Sequence, residues 1–247
     1  MPGRTTRYQS ARRDRSQVVL EGFHALKHAL RFGAAVSEAA TPDPAAVLAL
    51  AESLAPDLLP ILPALLEEVS PEEFAALAPA APPTPVLALA RRPQADAAAL
   101  LATPGPGPVV LLDRPNHLGN LGAVVRVAAA AQAAGVVTTG ERDPWHPAAV
   151  RGSAGLHFAL PVARLVGPLP AGRPLVAVTP EGEALWDTAL PPGPVLAFGG
   201  ERRGLGPDLL AAASLRLAVP MAPRVSSLNL ATAAAVVLFE VRRRQNG

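Results

Sequence analysis

The chain has 247 residues, of which 50% are apolar and none is cysteine, and its formal net charge is +2. This length suffices for one large or two ordinary domains with a buried core. The lack of cysteine excludes disulfides and thiolate metal sites, and no apolar run reaches the roughly 18 residues that a membrane helix needs. The arginine-rich start lacks the apolar stretch of a secretory signal. We expect a soluble, cytoplasmic protein with no membrane partner.

Charge is distributed unevenly along the chain. Residues 1–16 hold five arginines and one aspartate, residues 17–104 are mainly acidic, and residues 105–247 are basic again. Two basic parts separated by an acidic one suit a bound polyanion, although an ordinary solvated surface with a disordered tail explains the pattern as well. We expect residues 1–16 to form a basic, flexible tail.

Residues 17–91 are predicted to form a small α/β domain. The stretch VVLEGFHALKHALRFG from Val18 predicts a short strand and then a helix that buries Phe23, Leu26 and Leu30. PVLALA at 85–90 reads as the last strand of this domain. The opposite side of the helix carries basic side chains at i, i+3, i+4 and i+7, which form either a solvated face or a phosphate-binding stripe. These are His24, Lys27, His28 and Arg31.

A second domain is predicted after a linker. The stretch ARRPQADAAALLATPGPGP at 90–108 supplies four prolines and two glycines without clear periodicity, which favours a linker at about 92–107. From residue 108 to 247, short apolar runs that end in glycine or proline alternate with helical segments, which is typical of a parallel sheet with its site at the carboxyl ends of the strands. The runs are VVLLD (109–113), GVVTTG, PLVAVTP (174–180), PVLAFGG (194–200) and LRLAVP (215–220), and a long helix is predicted from Ser227.

The stretch AFGGERRGLG at 197–206, called the glycine loop below, follows one of these strands. It lacks the lysine and hydroxyl of a P-loop and the glycine spacing of a dinucleotide-binding loop, which argues against a Rossmann-type oxidoreductase. Glycines let the backbone approach a ligand, while Glu201 repels phosphate and attracts a cation or hydrogen-bond donors. The loop therefore favours a cationic or amine-bearing ligand.

Three motifs occur in order along the second domain. LDRPNHLGNLGAVVRVA (112–128) contains N-x-G-A-V-V-R, the glycine loop contains G-G-E-R-R-G-L, and VPMAPRVSSLNLATAAAVVLFE (219–240) contains P-M-x-x-x-V-x-S-L-N. Together they resemble the motifs of the SpoU (TrmH) family of RNA ribose 2′-O-methyltransferases over residues 105–247. V-L-E-G-x-x-A-L-x-x-A-L near the start resembles the small substrate-binding domain of many members, and the layout is most similar to the ribosomal RNA members.

The resemblance implies a fold and a cofactor. The fold is an α/β SPOUT methyltransferase domain with a parallel sheet and a trefoil knot, an exception to the rule that chains avoid knots. The cofactor is S-adenosylmethionine (AdoMet), bound among the knot loops, and the glycines of the glycine loop are expected to make room for it. The implied cofactor-binding residues are Thr179, Gly199, Gly200, Val219, Met221 and Leu228.

The resemblance also implies catalytic residues, and none of them needs a metal. Arg126 matches the essential arginine; because guanidinium stays protonated, we expect it to clamp the phosphate beside the target ribose rather than to act as the base. Glu201 is expected to orient Arg126 or a neighbouring loop, and Asn120 either acts in the site or holds the turn before its helix. Ser227 and Asn229 are expected to cap the last helix while they fix the cofactor loop.

One position departs from the family pattern. Where the family usually has Asp-Pro, this chain has His117 and Leu118. His117 is either an extra acid or base near the ribose or a tolerated turn residue. The departure weakens any transfer of a particular target nucleotide.

The implied partners are RNA, with ribosomal RNA favoured over transfer RNA, and a second copy of the chain. A homodimer is implied in which Arg126 works with the partner, and an apolar strip on the last helix suits either the interface or the intrachain core. That strip consists of Leu230, Ala234, Val237 and Leu238. The basic tail is expected to order in part on RNA. A non-catalytic ribosome-assembly protein on the same fold is the alternative, but it predicts loss of motif residues that are present here.

Overall fold

A computed structural model describes residues 3–245 of the chain. Its internal contacts divide the chain into two units. The first comprises Met1–Pro93 and Trp145–Ala159, and the second comprises Gln94–Pro144 and Leu160–Gly247. The predicted domain boundaries stay predictions, and the structure differs from them in grouping residues 145–159 with the first unit.

The described residues form ten α-helices and ten strands. The helices are α1 (Arg4–Ala11), α2 (Phe23–Arg31), α3 (Pro44–Leu54), α4 (Leu62–Leu65), α5 (Pro71–Leu77), α6 (Ala97–Ala102), α7 (Leu118–Ala130), α8 (Pro147–Gly152), α9 (Pro207–Ala212) and α10 (Leu230–Gln245). The strands are β1 (Gln17–Glu21), β2 (Val36–Thr41), β3 (Leu66–Glu68), β4 (Leu87–Arg91), β5 (Val109–Asp113), β6 (Gly135–Thr138), β7 (Val162–Arg164), β8 (Leu175–Ala184), β9 (Val195–Gly199) and β10 (Leu215–Ala218).

The first unit is built on a four-stranded sheet in the order β1-β4-β2-β3. β4 pairs antiparallel with both β1 and β2, and β2 pairs parallel with β3. The predicted strand at 85–90 is thus a central strand of this sheet. On α2, Phe23 and Leu26 are buried as predicted, and Leu30 is half-buried.

The predicted flexible tail is wrong for Arg4–Ala11, which forms α1. Tyr8 is completely buried in the apolar core of the first unit, and its hydroxyl donates to the carbonyl of Leu87 at 3.0 Å. The flanking arginines pair with acidic side chains far along the chain: Arg4 with Glu73 at 2.7 Å and Arg7 with Glu38 at 2.5 Å. The basic charge of this segment is therefore matched by acidic residues of the same unit rather than left for a polyanion.

The segment 145–159 packs into the first unit at close range. Arg151 forms an ion pair with the buried Glu21, which also pairs with Arg12 at 2.7 Å. Gly155 has φ +81°, and a Cβ placed there would come within 2.4 Å of the carbonyl oxygen of Ala25. Only glycine fits this approach of the segment to α2.

The predicted linker at 92–107 contains a helix that the sequence did not indicate. Asp96 caps α6 by accepting from the amides of Ala98 and Ala99 at 2.9 and 3.1 Å. Leu101 is buried in the core of the second unit. Because α6 is short and lies between proline-rich stretches, the sequence shows no clear helical periodicity there.

The second unit contains a parallel six-stranded sheet in the order β10-β8-β9-β5-β6-β7. All five residues of β5 are buried, as expected of a central strand covered on both faces. The predicted α/β fold with a parallel sheet is confirmed. The knotted threading implied by the resemblance stays a prediction.

β8 bulges where it passes β10. Arg216 of β10 pairs with Ala177, but the next residue, Leu217, pairs with Glu183. The residues between Ala177 and Glu183 therefore bulge out of register. At the end of this bulge Gly182 passes so close to β10 that a Cβ there would come within 2.4 Å of the Leu217 carbonyl carbon.

The last helix, α10, packs against α7 inside the second unit. The apolar strip predicted for the core or the interface is core, because all four of its residues are at most 8% exposed within the single chain. A different face of α10 is open to solvent, where Phe239 is 48% exposed. No helix among residues 3–245 is both long and apolar enough to cross a membrane.

Candidate functional site

A cavity of about 900 Å³ lies at the carboxyl ends of β8, β9 and β10. Its volume is within the range of roughly 300–1,000 Å³ that is usual for small-molecule sites. The bulge of β8, the glycine loop and the loop before α10 supply most of its wall. All six predicted cofactor-binding residues line it: Thr179, Gly199, Gly200, Val219, Met221 and Leu228.

Side chains from the three sequence motifs are hydrogen-bonded to one another at this cavity. The Asn120 amide donates to Glu201 Oε1 at 2.9 Å, and the Asn229 amide donates to Asn120 Oδ1 at 3.2 Å. The backbone N–H of Asn116 donates to the other oxygen of Glu201 at 3.2 Å. The chain thus joins residues more than 80 positions apart into one polar cluster, called the Asn-Glu-Asn cluster below.

The surroundings of Glu201 favour the ionised form of its carboxyl. Partial burial acts to raise the pKa of its carboxyl, but the hydrogen bonds from Asn120 and the Asn116 N–H and the nearby His117 outweigh this, so its pKa lies below the ordinary value. His117 occupies the N-cap position of α7 without a capping hydrogen bond from its side chain, and it lines the cavity. Glu201 therefore orients Asn120 and the neighbouring turn.

Two glycines of the glycine loop are required by the fold of the loop itself. A Cβ on Gly199 would come within 2.2 Å of the Gly204 carbonyl carbon, and one on Gly200 within 2.8 Å of the Arg114 carbonyl oxygen. Both clashes are with the protein's own backbone. Gly199 and Gly200 therefore let the loop fold tightly on itself and onto the end of β5, and the expectation that they make room for the ligand stays a prediction.

The cap of α10 also differs from the prediction. The helix begins at Leu230 rather than Ser227, and the cap is Asn229, whose Oδ1 accepts from the amide of Ala231 at 2.9 Å. Ser227 is exposed and lines the cavity. Asn229 uses its side-chain oxygen for the cap and its amide for Asn120, so the capping and site roles are both filled by this residue.

Arg126 is not brought into the cluster. It is exposed on α7 and is not among the described residues that line the cavity. Six residues separate it from Asn120, which places it about 9 Å along the helix and on a different face. Within a single chain, Arg126 and the Asn-Glu-Asn cluster therefore point in different directions.

The predicted basic stripe on α2 is largely engaged in contacts within the first unit. Lys27 is buried at 9% exposure, and His28 Nδ1 lies 2.6 Å from the carbonyl oxygen of Ala154. Burial lowers the pKa of His28, which favours the neutral ring at neutral pH. Arg31 pairs with Asp57 at 2.6 Å. His24 and Arg31 are the two exposed members of the stripe.

Sequence reasoning missed part of the charged lining of the cavity. Glu181, from the β8 bulge, and Arg216, from β10, both line it. The Thr179 hydroxyl donates to Glu181 at 2.6 Å, and this bond lowers the pKa of the carboxyl. A carboxylate directly after an apolar strand was the available signal.

The comparisons with known proteins agree with these motifs. A model of the SpoU rRNA Methylase family matches residues 107–239, which is more than half of the chain. The chain belongs to this family. A relative in Synechocystis, described as an uncharacterized tRNA/rRNA methyltransferase, is 35% identical over 145 residues, which cover 55% of this chain and 53% of the relative.

Two further relatives have more specific descriptions. A 23S rRNA (uridine(2479)-2′-O)-methyltransferase of Streptomyces viridochromogenes is 34% identical over 153 residues, covering 56% of this chain and 53% of the relative. The AdoMet-bound rRNA methyltransferase of Sinorhizobium meliloti superposes with a TM-score of 0.74 at 27% identity, covering 98% of this chain and 92% of that one. In sequence, the chain spans about half the length of the two curated relatives.

Proposed function

We propose that this SpoU protein transfers the methyl group of AdoMet to the 2′-hydroxyl of a ribose in RNA. The observation that carries the proposal is the Asn-Glu-Asn cluster: three motifs from distant parts of the chain meet at one cavity. Membership of the SpoU family and the names of the relatives support the same activity. The fixed amide and carboxylate groups of this cluster are suited to orienting a hydroxyl.

The cavity fits AdoMet in size and in the chemistry of its lining. Apolar side chains such as Val178, Phe198 and Leu228 suit the adenine, and the carboxylates of Glu181 and Glu201 suit a cationic ligand. AdoMet, when bound, supplies the electrophilic methyl group. The six lining residues predicted above would hold it, with the backbone of Gly199, Val219 and Leu228 as the main contacts.

The protein's own residues would orient the ribose and place its proton. Asn120 is fixed by Glu201 and Asn229, so its position costs little entropy when the RNA binds. Ser227 stands at the same cavity and can hydrogen-bond the RNA or the cofactor. Since a guanidinium is always protonated, Arg126 would hold the adjacent phosphate, and that phosphate or a water would accept the hydroxyl proton.

In a homodimer, Arg126 of one copy would reach the Asn-Glu-Asn cluster of the other. Arg126 is exposed and is not among the residues that line the cavity of its own chain, so we propose that it completes the site of a partner copy. The buried strip on α10 is excluded as the interface by its packing in the core. The open face of α10 around Phe239 and Val236 is the candidate surface in its place.

We favour ribosomal RNA as the substrate and propose a cytoplasmic location for the enzyme. Two of the three relatives described above are named as ribosomal RNA methyltransferases, and the name of the third gives both transfer RNA and ribosomal RNA. The first unit would serve as the RNA-binding part, with His24 and Arg31 as its exposed basic residues on α2. The loops that line the cavity would be the loops of the trefoil knot that the resemblance implies. A non-catalytic assembly factor is the alternative.

The test is methyl transfer from labelled AdoMet to total ribosomal and transfer RNA. Wild-type protein is expected to label one RNA class at alkali-resistant 2′-O-methyl linkages. Arg126→Ala is expected to lower kcat by about 100-fold, because the phosphate loses a bidentate charged partner, while it leaves AdoMet affinity unchanged. Arg142→Ala, a change to another exposed arginine of the second unit that is not among the residues lining the cavity, is the matched control for loss of positive charge. AdoMet binding without label in naked RNA or ribosomal particles would contradict the proposal and favour the assembly factor.

A further inference from the structure

A buried carboxylate lies behind the glycine loop. Asp113, the last residue of β5, is 5% exposed. Its Oδ1 accepts from the Thr139 hydroxyl at 2.6 Å, and its Oδ2 accepts from the Gly206 N–H at 2.8 Å and from the Arg114 guanidinium at 2.9 Å. One side chain thus joins the end of β5, the residue after β6 and the end of the glycine loop.

The backbone around Asp113 is arranged to receive this loop. Arg114 has φ +49°, a conformation that is uncommon for a residue other than glycine, and its N–H donates to Thr139 Oγ1 at 3.0 Å. Gly200 lies so close that a Cβ would be 2.8 Å from the Arg114 carbonyl oxygen. The loop is therefore held at its start by backbone contact and at its end by the Asp113 carboxylate.

The hydrogen bonds of Asp113 require a carboxylate. A buried carboxylate is costly unless its oxygens are satisfied, and here three donors satisfy them. An asparagine has one acceptor oxygen and one donor nitrogen, so it cannot accept from Thr139 on one side and from Gly206 and Arg114 on the other. Asparagine would have to donate to Thr139 Oγ1 and offer Gly206 and Arg114 a neutral oxygen in place of a charged one, which weakens the hold on the end of the loop.

We propose that Asp113 is a positioning residue of this enzyme. By fixing the glycine loop, it keeps the wall of the cavity in place and holds Glu201 within reach of Asn120. The anchoring of the loop follows from the contacts alone, whereas its effect on methyl transfer rests on the proposed function.

The first test measures amide hydrogen exchange in the ligand-free, full-length protein. Asp113→Asn is expected to speed exchange of the peptide that covers the glycine loop by about 10-fold, since a charged hydrogen bond is lost. Thr139→Val, which leaves the carboxylate in place, is expected to give a smaller increase, and Thr139→Ser, which keeps the hydroxyl, none. Asp208→Asn removes an exposed carboxylate two residues after Gly206 and is the matched control.

The second test measures AdoMet affinity by calorimetry and the steady-state constants. Asp113→Asn is expected to raise the Kd and KM for AdoMet by about 10-fold, and Thr139→Ser to behave as wild type. If Asp113→Asn does not fold, loop exchange and AdoMet affinity are both compared between Thr139→Val and Thr139→Ser instead. If the glycine loop exchanges equally fast in Asp113→Asn and Asp208→Asn, and equally fast in Thr139→Val and Thr139→Ser, Asp113 does not anchor the loop. Wild-type protein that binds no AdoMet would overturn the proposed function while leaving the exchange result intact.

Discussion

Glu201 links the protonation state of one side chain to the geometry of the site. Its pKa is lowered mainly by the hydrogen bond from Asn120, against the effect of partial burial. A carboxyl whose pKa is lowered in the folded protein contributes its interaction above the ordinary pKa and loses it as the pH falls through the lowered value. The Asn-Glu-Asn cluster is therefore intact throughout the neutral range.

We expect Glu201 to add no step to the pH profile of kcat between roughly pH 6 and pH 8. Glu201→Gln is expected to lower kcat by about 10-fold at every pH in this range, because its amide nitrogen cannot accept from the Asn116 N–H. Rates of methyl transfer for wild type and variant across this range provide the measurement. A glutamate-dependent rise in wild-type kcat near neutral pH would show that Glu201 titrates there and is not held ionised.

At the scale of residues, the sequence predicted the members of the site better than their roles. Asn120, Glu201 and Asn229 could be chosen from motifs, and the structure brings them together. The motif could not show that Gly200 packs against Arg114 or that Arg126 lies outside the cavity, because both depend on how distant segments meet. Steric contacts of this kind leave no pattern in a single sequence.

Asn229 has two roles, in the start of α10 and in the Asn-Glu-Asn cluster, and two substitutions separate them. Asn229→Ala removes both the cap and the amide, so it is expected to cost about 1 kcal/mol of unfolding free energy and to lower kcat. Asn229→Ser keeps a capping oxygen but removes the donor to Asn120, and it adds no charge beside Glu201. We expect it to match wild type in stability and to resemble Asn229→Ala in kcat.

Urea unfolding and methyl-transfer rates of the three proteins measure these expectations. Ser227→Ala is the control for the cap, because the helix begins after Asn229 and Ser227 is predicted to leave stability unchanged. Equal destabilisation by Asn229→Ser and Asn229→Ala would show that the amide, rather than the capping oxygen, stabilises α10.

At the scale of elements, buried parallel strands could be predicted from the sequence. A helix held by ion pairs to distant acidic residues could not. VVLLD at 109–113 forms β5 with the predicted bounds, since a strand covered on both faces is a continuous apolar run. α1 was missed because its arginines look solvated in sequence, yet Arg4 pairs with Glu73, 69 residues away. The sheet order likewise depends on contacts between segments that are far apart in the chain.

At the scale of the whole molecule, the position of Arg126 makes an experimental distinction possible. If Arg126 completes the site of the partner copy, a mixed dimer of Arg126→Ala and Asn120→Ala chains has one site with both defects and one site with neither. If Arg126 acts in its own chain, both sites of the mixed dimer carry one defect. The two arrangements therefore predict different activities for the same mixture.

We expect co-expression of the two inactive chains to restore about one quarter of wild-type activity, because half of randomly formed dimers are mixed and each has one intact site. Single-turnover methyl transfer by the purified mixture measures this against each variant alone. Phe239→Asp in both chains places a charge on the open face of α10, so it is expected to block dimerisation and to abolish the recovery. No recovery in a mixture that sedimentation shows to be dimeric would place Arg126 in the site of its own chain, and recovery that survives Phe239→Asp would move the interface away from α10.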